Sequence, residues 1–213
     1  MMKLLSEIQS FDSLEFLTEE NNGEKTYKIR GPFLQSEVEN RNGREYSKEL
    51  CEREVGRFQE KIKMKRALGE LDHPPSPTVN LQNVSHLINS LKMQGNDGIG
   101  EAILLDTITG NLAKSLLKAG VQLGVSTRGV GTLNGKHVNE DYRLITVDIV
   151  ADPSAPNAYV DGILENKDYI ITEGGDIVEK AIEKLEEKLD KKGLSGDVYS
   201  FLQDFLADIR SKM

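Results

Sequence analysis

The sequence predicts an α+β fold: antiparallel strands dominate, two helices flank them, and a charged helical tail follows. Three observations carry this. Strand-like apolar runs recur and are joined by the tight-turn signals Asn21-Asn22-Gly23 and Gly95-Asn96-Asp97-Gly98. Apolar residues repeat at helical spacing in two separate stretches before residue 165. After about Glu165 the composition shifts, and long charged stretches replace the strand pattern.

Residues 1–34 read as strand material with a turn: Ser13–Thr18, then Asn21-Asn22-Gly23, then Thr26–Ile29. Asn-Gly tolerates the positive φ that tight hairpins need. Gln35–Tyr46 is polar and reads as a loop. Ser47 caps a helix over about Lys48–Lys63, where Leu50, Val55, Phe58 and Ile62 recur at helical spacing. Its charged face reads as solvated. Cys51 reads as a residue on the flank of this helix rather than a nucleophile. Ala67–Leu71 is a short, partly apolar segment running into Asp72-His73-Pro74-Pro75-Ser76-Pro77. Three prolines in four residues bar a helix and impose an extended, stiff backbone. Val84–Met93 and Gly100–Leu105 read as paired strands. Thr109–Ala119 reads as a helix with Leu112, Leu116 and Leu117 on one face and Gly120 as its stop. Val121–Val130 and Tyr142–Val150 are strands joined by the polar stretch Gly131–Asp141. Glu173-Gly174-Gly175-Asp176 reads as part of a linker, and Ile177–Lys191 and Ser195–Ile209 as helices. The expected organisation is a domain over 1–165, a linker over 166–176 and a docking tail over 177–213.

Composition narrows the function classes. The 213 residues carry a net charge of −8, which argues against a chain built mainly to grip nucleic acid. One cysteine excludes a disulfide framework and a cysteine-based zinc site. No apolar run approaches the length of a membrane span, and MMKLLSEIQSF lacks the features of a signal peptide. The expectation is a soluble protein of a reducing compartment.

Three histidines are available: His73, His86 and His137. They lack the HExxH spacing of a zinc hydrolase, so no metal or other cofactor is expected. His73 stands out because the following prolines pin its backbone, which lowers the entropy lost when an imidazole meets a partner. Taken alone it also reads as a surface loop histidine. His86 reads as a half-buried strand residue and His137 as a solvated one. Gly124-Val125-Ser126-Thr127-Arg128-Gly129-Val130-Gly131 surrounds one serine with glycines, which let a main chain approach a substrate and aim N–H groups at a developing oxyanion. It matches neither the GxxxxGK[ST] loop nor the GxSxG elbow, and by itself it also reads as an anion-binding loop or a flexible strand. Asp148 lies within the apolar run Leu144–Val150, where an unpaired carboxylate is costly, so a partner is expected. Asp152 is the alternative acid, although Asp-Pro is a common turn opener.

Taken together and in order, Asn40–Tyr46 (NRNGREY), Ala67–Pro75 (ALGELDHPP), Gly124–Gly131 (GVSTRGVG) and Val147–Pro156 (VDIVADPSAP) resemble the prohead core proteases of contractile-tailed bacteriophages. That family is related in fold to the herpesvirus maturation protease, assemblin. The resemblance covers about residues 25–160. It implies a small, mostly antiparallel β-barrel flanked by helices. It also implies a serine endopeptidase that works inside the phage prohead, assembled in the bacterial cytoplasm, and cuts scaffold, capsid and internal proteins and then itself. The family nucleophile falls on Ser126, the histidine on His73, the acid on Asp148, and the oxyanion and substrate contacts near Arg128 and Gly129. Where relatives have a second serine, this chain has Thr127. Cleavage after Glu with Leu or Ile two residues earlier would make Leu5-Ser6-Glu7, Ile163-Leu164-Glu165 and Ile171-Thr172-Glu173 self-cleavage sites, with Leu68-Gly69-Glu70 protected by the fold. A homo-oligomer is expected, with no nucleic-acid or membrane partner. The alternatives are a scaffold protein that keeps the fold without catalysis, and an esterase or amidase using the same three residues.

Overall fold

A computed structural model describes residues 2–8, 14–21, 23–151, 169–171 and 177–179. The chain divides into two units, Met1–Asn166 and Lys167–Met213.

The first unit is built on two antiparallel sheets. In the larger, the order is β2 (Glu15–Asn21), β3 (Glu24–Gln35), β6 (Asp97–Leu104), β5 (Val84–Gln94) and β4 (Leu68–Glu70). The smaller has β7 (Gly124–Gly131) between β1 (Lys3–Ile8) and β10 (Arg143–Val150). The turns sit where Gly permits them: Gly23 at φ 82° closes the pairing of Asn21 with Glu24, and Gly95 at φ 65° that of Gln94 with Asp97. Within 131–141 the polar connection folds into a small hairpin of β8 (Leu133–Asn134) and β9 (His137–Val138).

A closed barrel does not form. The sheets meet at β4 and β10 through one parallel bridge, Leu71 to Ile149, and the Asp72 N–H donates to the Ile149 carbonyl at 2.8 Å. Beyond that point Pro74, Pro75 and Pro77 have no N–H groups with which to extend a ladder. The architecture is therefore mostly antiparallel sheets with few helices. Between the sheets lies a core that includes Ile29, Phe33, Ile88, Leu91, Val147 and Ile149.

Helix α1 runs over Lys48–Lys63, and the Ser47 side chain accepts from the Leu50 N–H. Leu50, Val55 and Phe58 are buried, as their spacing predicts. Its charged face is not wholly solvated. Glu54 is buried, accepts from the Leu144 N–H at 2.9 Å and pairs with Arg53 and Arg57. Cys51 is buried too, and burial pushes its thiol up to about 12, which removes it from thiolate chemistry near neutral pH.

Helix α2 covers Ile108–Lys118 and ends before Gly120 at φ 83°. Its buried face is only partly the one expected: Leu116 and Leu117 are partly buried and pack against the core. Gly110, Ala113 and Lys114 are buried, while Leu112 is 50% exposed. Gly110 sets this rotation: a Cβ there would lie 2.2 Å from the Leu105 carbonyl oxygen and 2.6 Å from that of Ser85, so the helix backbone approaches the sheet at its small residues. Val121 lies outside β7 and is 42% exposed.

In the second unit, β11 (Tyr169–Ile171) pairs antiparallel with β12 (Ile177–Glu179). Residues 177–179 are thus strand where a helix was expected to begin; the β-branched Ile177-Val178 suits pairing with Tyr169-Ile170-Ile171. Residues 169–171, within the expected linker 166–176, are strand as well; linker residues 166–168 and 172–176, the rest of the 177–191 helix and the 195–209 helix lie outside the described residues. No helix among the described residues is long and apolar enough to cross a membrane.

Candidate active site

Ser126 and Asp148 are direct cross-strand partners on β7 and β10. Such pairs share a face of the sheet, with Cβ atoms roughly 5 Å apart. His73 reaches that face from the edge of the other sheet. After β4 the chain takes a left-handed step at Asp72, φ 65°, where its N–H is tied to the Ile149 carbonyl. The next residue is His73, with 8% of its side chain exposed. Its Nδ1 lies 2.9 Å from Asp148 Oδ2, and its Nε2 contacts Ser126 Oγ. An ionised carboxylate only accepts, so Nδ1 carries the proton and Nε2 accepts from the serine hydroxyl. Three residues distant in sequence thus meet in one chain of hydrogen bonds.

Asp148 is fully buried, yet every side of it is answered. Its Oδ1 accepts from the Glu70 N–H at 3.0 Å and from Arg128 Nη2 at 3.2 Å, and Arg128 Nε lies 2.9 Å from Oδ2. Arg128 also pairs with the buried Glu70 carboxylate through Nη2 and donates from Nη1 to the Ser76 carbonyl at 2.8 Å. Glu70 Oε1 in turn accepts from the Asn80 N–H at 2.9 Å. One buried cation therefore binds two carboxylates and clamps the proline-rich loop that carries His73.

The oxyanion and substrate contacts were expected near Arg128 and Gly129, and the side chain of Arg128 is turned to another task. Its guanidinium is fully buried and committed to Glu70, Asp148 and Ser76, so it offers no side-chain donor to an open cleft. Gly129 sits within β7 beneath a ring: a Cβ there would lie 2.4 Å from Tyr142 Cε2. Both residues have strand partners on each side, in β1 and β10. Sequence reasoning took Glu70 only as part of a protected Leu-x-Glu triplet. It is indeed buried, but its function as the second carboxylate was missed. The available signal was an acidic residue three positions before His73 in a segment otherwise apolar through Leu71.

The other candidates lie elsewhere. His86 is fully rather than half buried. Its Nε2 donates to the Val147 carbonyl at 3.0 Å and its Nδ1 accepts from Ser85 Oγ at 2.8 Å. Burial lowers its pKa to about 4, so it is neutral at pH 7. His137 is exposed on β9. Asp152 lies outside the described residues. Among the described residues, no group of three His, Cys, Asp or Glu side chains is arranged to hold a metal ion.

Comparison with known proteins agrees with this arrangement of strands. A family model described as "Prohead core protein serine protease" matches residues 12–168. The prohead core protein protease of Enterobacteria phage T4 is 39% identical over 141 residues, an alignment covering 62% of this chain and 66% of that protein. The chain thus spans a little under two thirds of the length of this curated relative. Among solved structures, the bacteriophage T4 capsid assembly protease, gp21, superposes with a TM-score of 0.66 at 32% identity, over 71% of this chain and 99% of the other. With the family match running from β2 through β10 and across residues 73, 126 and 148, the chain belongs to the prohead core protein serine protease family.

Proposed function

We propose that this protein is a serine endopeptidase of phage head maturation in which Ser126 is the nucleophile, His73 the general base and Asp148 the group that orients the imidazole. The observation that supports it most is the continuous contact from Ser126 Oγ through the His73 ring to Asp148. His73 Nε2 takes the hydroxyl proton as Ser126 Oγ bonds to the carbonyl carbon of a peptide. The tetrahedral intermediate collapses, the C–N bond breaks, and His73 delivers the proton to the leaving amine. Water, deprotonated by His73, then hydrolyses the acyl ester and restores Ser126. Asp148 holds Nδ1–H and stabilises the imidazolium that forms twice in the cycle. Arg128 is a positioning residue acting through Asp148, and Gly129 supplies main-chain contacts to the bound substrate strand.

The substrates are scaffold, capsid and internal proteins of the prohead, reached from inside the particle, and the chain works as a homo-oligomer. Ser126→Ala tests the assignment against a fluorogenic peptide containing Leu-x-Glu. Turnover should fall on the order of 10⁶-fold, and Asp148→Asn should lower it roughly 10⁴-fold. Peptide cleavage left intact by Ser126→Ala ends the proposal.

A further inference from the structure

The strand that carries Asp148 is irregular. From Leu144 opposite Gly129 the register of β10 on β7 steps to Thr146 opposite Arg128, so Ile145 is an extra residue with no partner of its own. A one-residue bulge of this kind moves every later side chain to the other face of the sheet. Continued without it from the Leu144–Gly129 pair, the ladder would set Val147 opposite Ser126 and Asp148 opposite Val125, a residue of the core. With it, Leu144 shares the core with Val147 and Ile149, while Asp148 faces Ser126. The other side of β7 has no such step: its register with β1 runs unbroken from Lys3–Gly131 to Ile8–Ser126. The meeting of carboxylate and nucleophile therefore depends on one inserted residue of β10.

Helix α1 grips the chain at that residue. The Ile145 carbonyl accepts from Lys61 Nζ at 2.7 Å, and the N–H just before it, that of Leu144, donates to Glu54 Oε2 at 2.9 Å. Arg53 Nη2 adds a bond to the Tyr142 carbonyl at 3.1 Å. Glu54 and Lys61 lie about two turns apart, so both stand on one face of the helix. An acceptor and a donor from a single rigid element thus take the main chain on either side of the bulge. β10 is an edge strand, and the bridge on its outer side, Leu71 to Ile149, lies beyond the bulge. Glu54 also serves Arg53 and Arg57, which makes Lys61 the cleaner handle on this contact.

We infer that α1 positions the Asp148 carboxylate: Lys61, with Glu54, holds the bulge at Ile145 and so keeps Asp148 on the face of the sheet where Ser126 and His73 stand. Lys61 is a positioning residue that acts through Asp148. Without its tether β10 can slip by one residue, and Asp148 then turns from the imidazole toward the core side. The inference rests on the reading of Asp148 as the group that orients His73.

A cycle of variants in the full chain tests this with a fluorogenic Leu-x-Glu peptide. Lys61→Met should lower kcat at least about tenfold, the effect of a lost hydrogen bond from a charged donor, and leave KM unchanged. In an Asp148→Asn background the same substitution should cost nothing further, because the group it positions is already gone. The ratio of the two losses cancels the fraction of variant that folds, and a merely structural role leaves it at one. A ratio near one overturns the inference. A second measurement needs no turnover. In the Ser126→Ala chain, proton NMR should show a far-downfield resonance from the His73 Nδ1–H held on Asp148, and Lys61→Met should weaken or abolish it. A resonance that Lys61→Met leaves unchanged also overturns the inference. If Asp148→Asn alone leaves kcat intact, the reading of Asp148 falls instead, and the resonance still decides whether Lys61 holds that carboxylate against His73.

Discussion

Arg128 is the residue on which the buried site balances electrically, and Arg128→Met removes that balance at nearly constant volume. In the native chain one guanidinium faces two carboxylates, Glu70 and Asp148, all three fully buried. Replacing it leaves two buried acids without a cation. Breaking a buried pair by removing one partner destabilises by about 3–5 kcal/mol. Replacing both members by apolar groups of similar volume is often close to neutral. Arg128→Met should therefore lower stability by about 4 kcal/mol, and Arg128→Met with Glu70→Met should recover most of the loss. Urea unfolding reads this directly, in a Ser126→Ala background that lacks the proposed nucleophile. With a slope of about 2 kcal/mol per molar, the single variant's midpoint should drop by roughly 2 M. In chains that keep Ser126, the double variant should still show reduced kcat, because Asp148 has lost its guanidinium and keeps only the Glu70 N–H and His73. A double variant as unstable as the single one refutes the reasoning. So does a single variant within about 1 kcal/mol of the parent.

Two further perturbations probe the frame around the site. Gly69→Ala would set a Cβ 2.1 Å from His86 Nε2 and 2.3 Å from the Val147 carbonyl oxygen, so β4 must shift away from β10. Overpacking of this kind costs about 1–3 kcal/mol, and a melting curve with a peptide assay should show lower stability and lower kcat together. His86 gives a pH signature: burial holds its folded pKa at about 4, below the ordinary histidine value of 6.5, so the unfolded chain binds its proton first as pH falls. This contribution is fully present above about pH 6.5 and is lost toward pH 4, amounting to roughly 3 kcal/mol. Urea midpoints measured across that window should fall, and His86→Gln should flatten the fall.

Some elements were legible because their signal is local. Ser47 and the apolar spacing after it define α1 to the residue, and Gly95 defines a hairpin, because caps and turns are decided by neighbours in sequence. His73, Ser126 and Asp148 could be named together only because four motifs together resemble a family; each alone also reads as structure. What could not be read is pairing across the fold. That β7 lies between β1 and β10 follows from no local pattern, and it is this pairing that sets Ser126 opposite Asp148. That Arg128 ties two buried carboxylates together could not be read, because a sequence shows the charge of a residue and not the side of the strand it occupies. Leu112 was assigned to a buried face because apolar spacing predicts one, whereas Gly110 decides how the helix seats.

The seam between the sheets explains why so many polar groups are buried at one point. His73 is anchored on the edge of one sheet and Ser126 and Asp148 on the other, so the distance between the imidazole and the serine depends on the contact between β4 and β10. Very little main-chain bonding secures that contact: one bridge and the Asp72 N–H. Side chains supply the rest. Thr146 Oγ1 donates to the Leu68 carbonyl at 2.7 Å and His86 Nε2 to that of Val147, while Arg128 ties Glu70 of β4 to Asp148 of β10. A continuous ladder would hold the strands with fewer buried charges, but it would need N–H groups where Pro74 and Pro75 have none, and those prolines stiffen the segment that presents His73. The ion network thus stands in for the missing ladder, so the groups that orient the imidazole also hold the two sheets together.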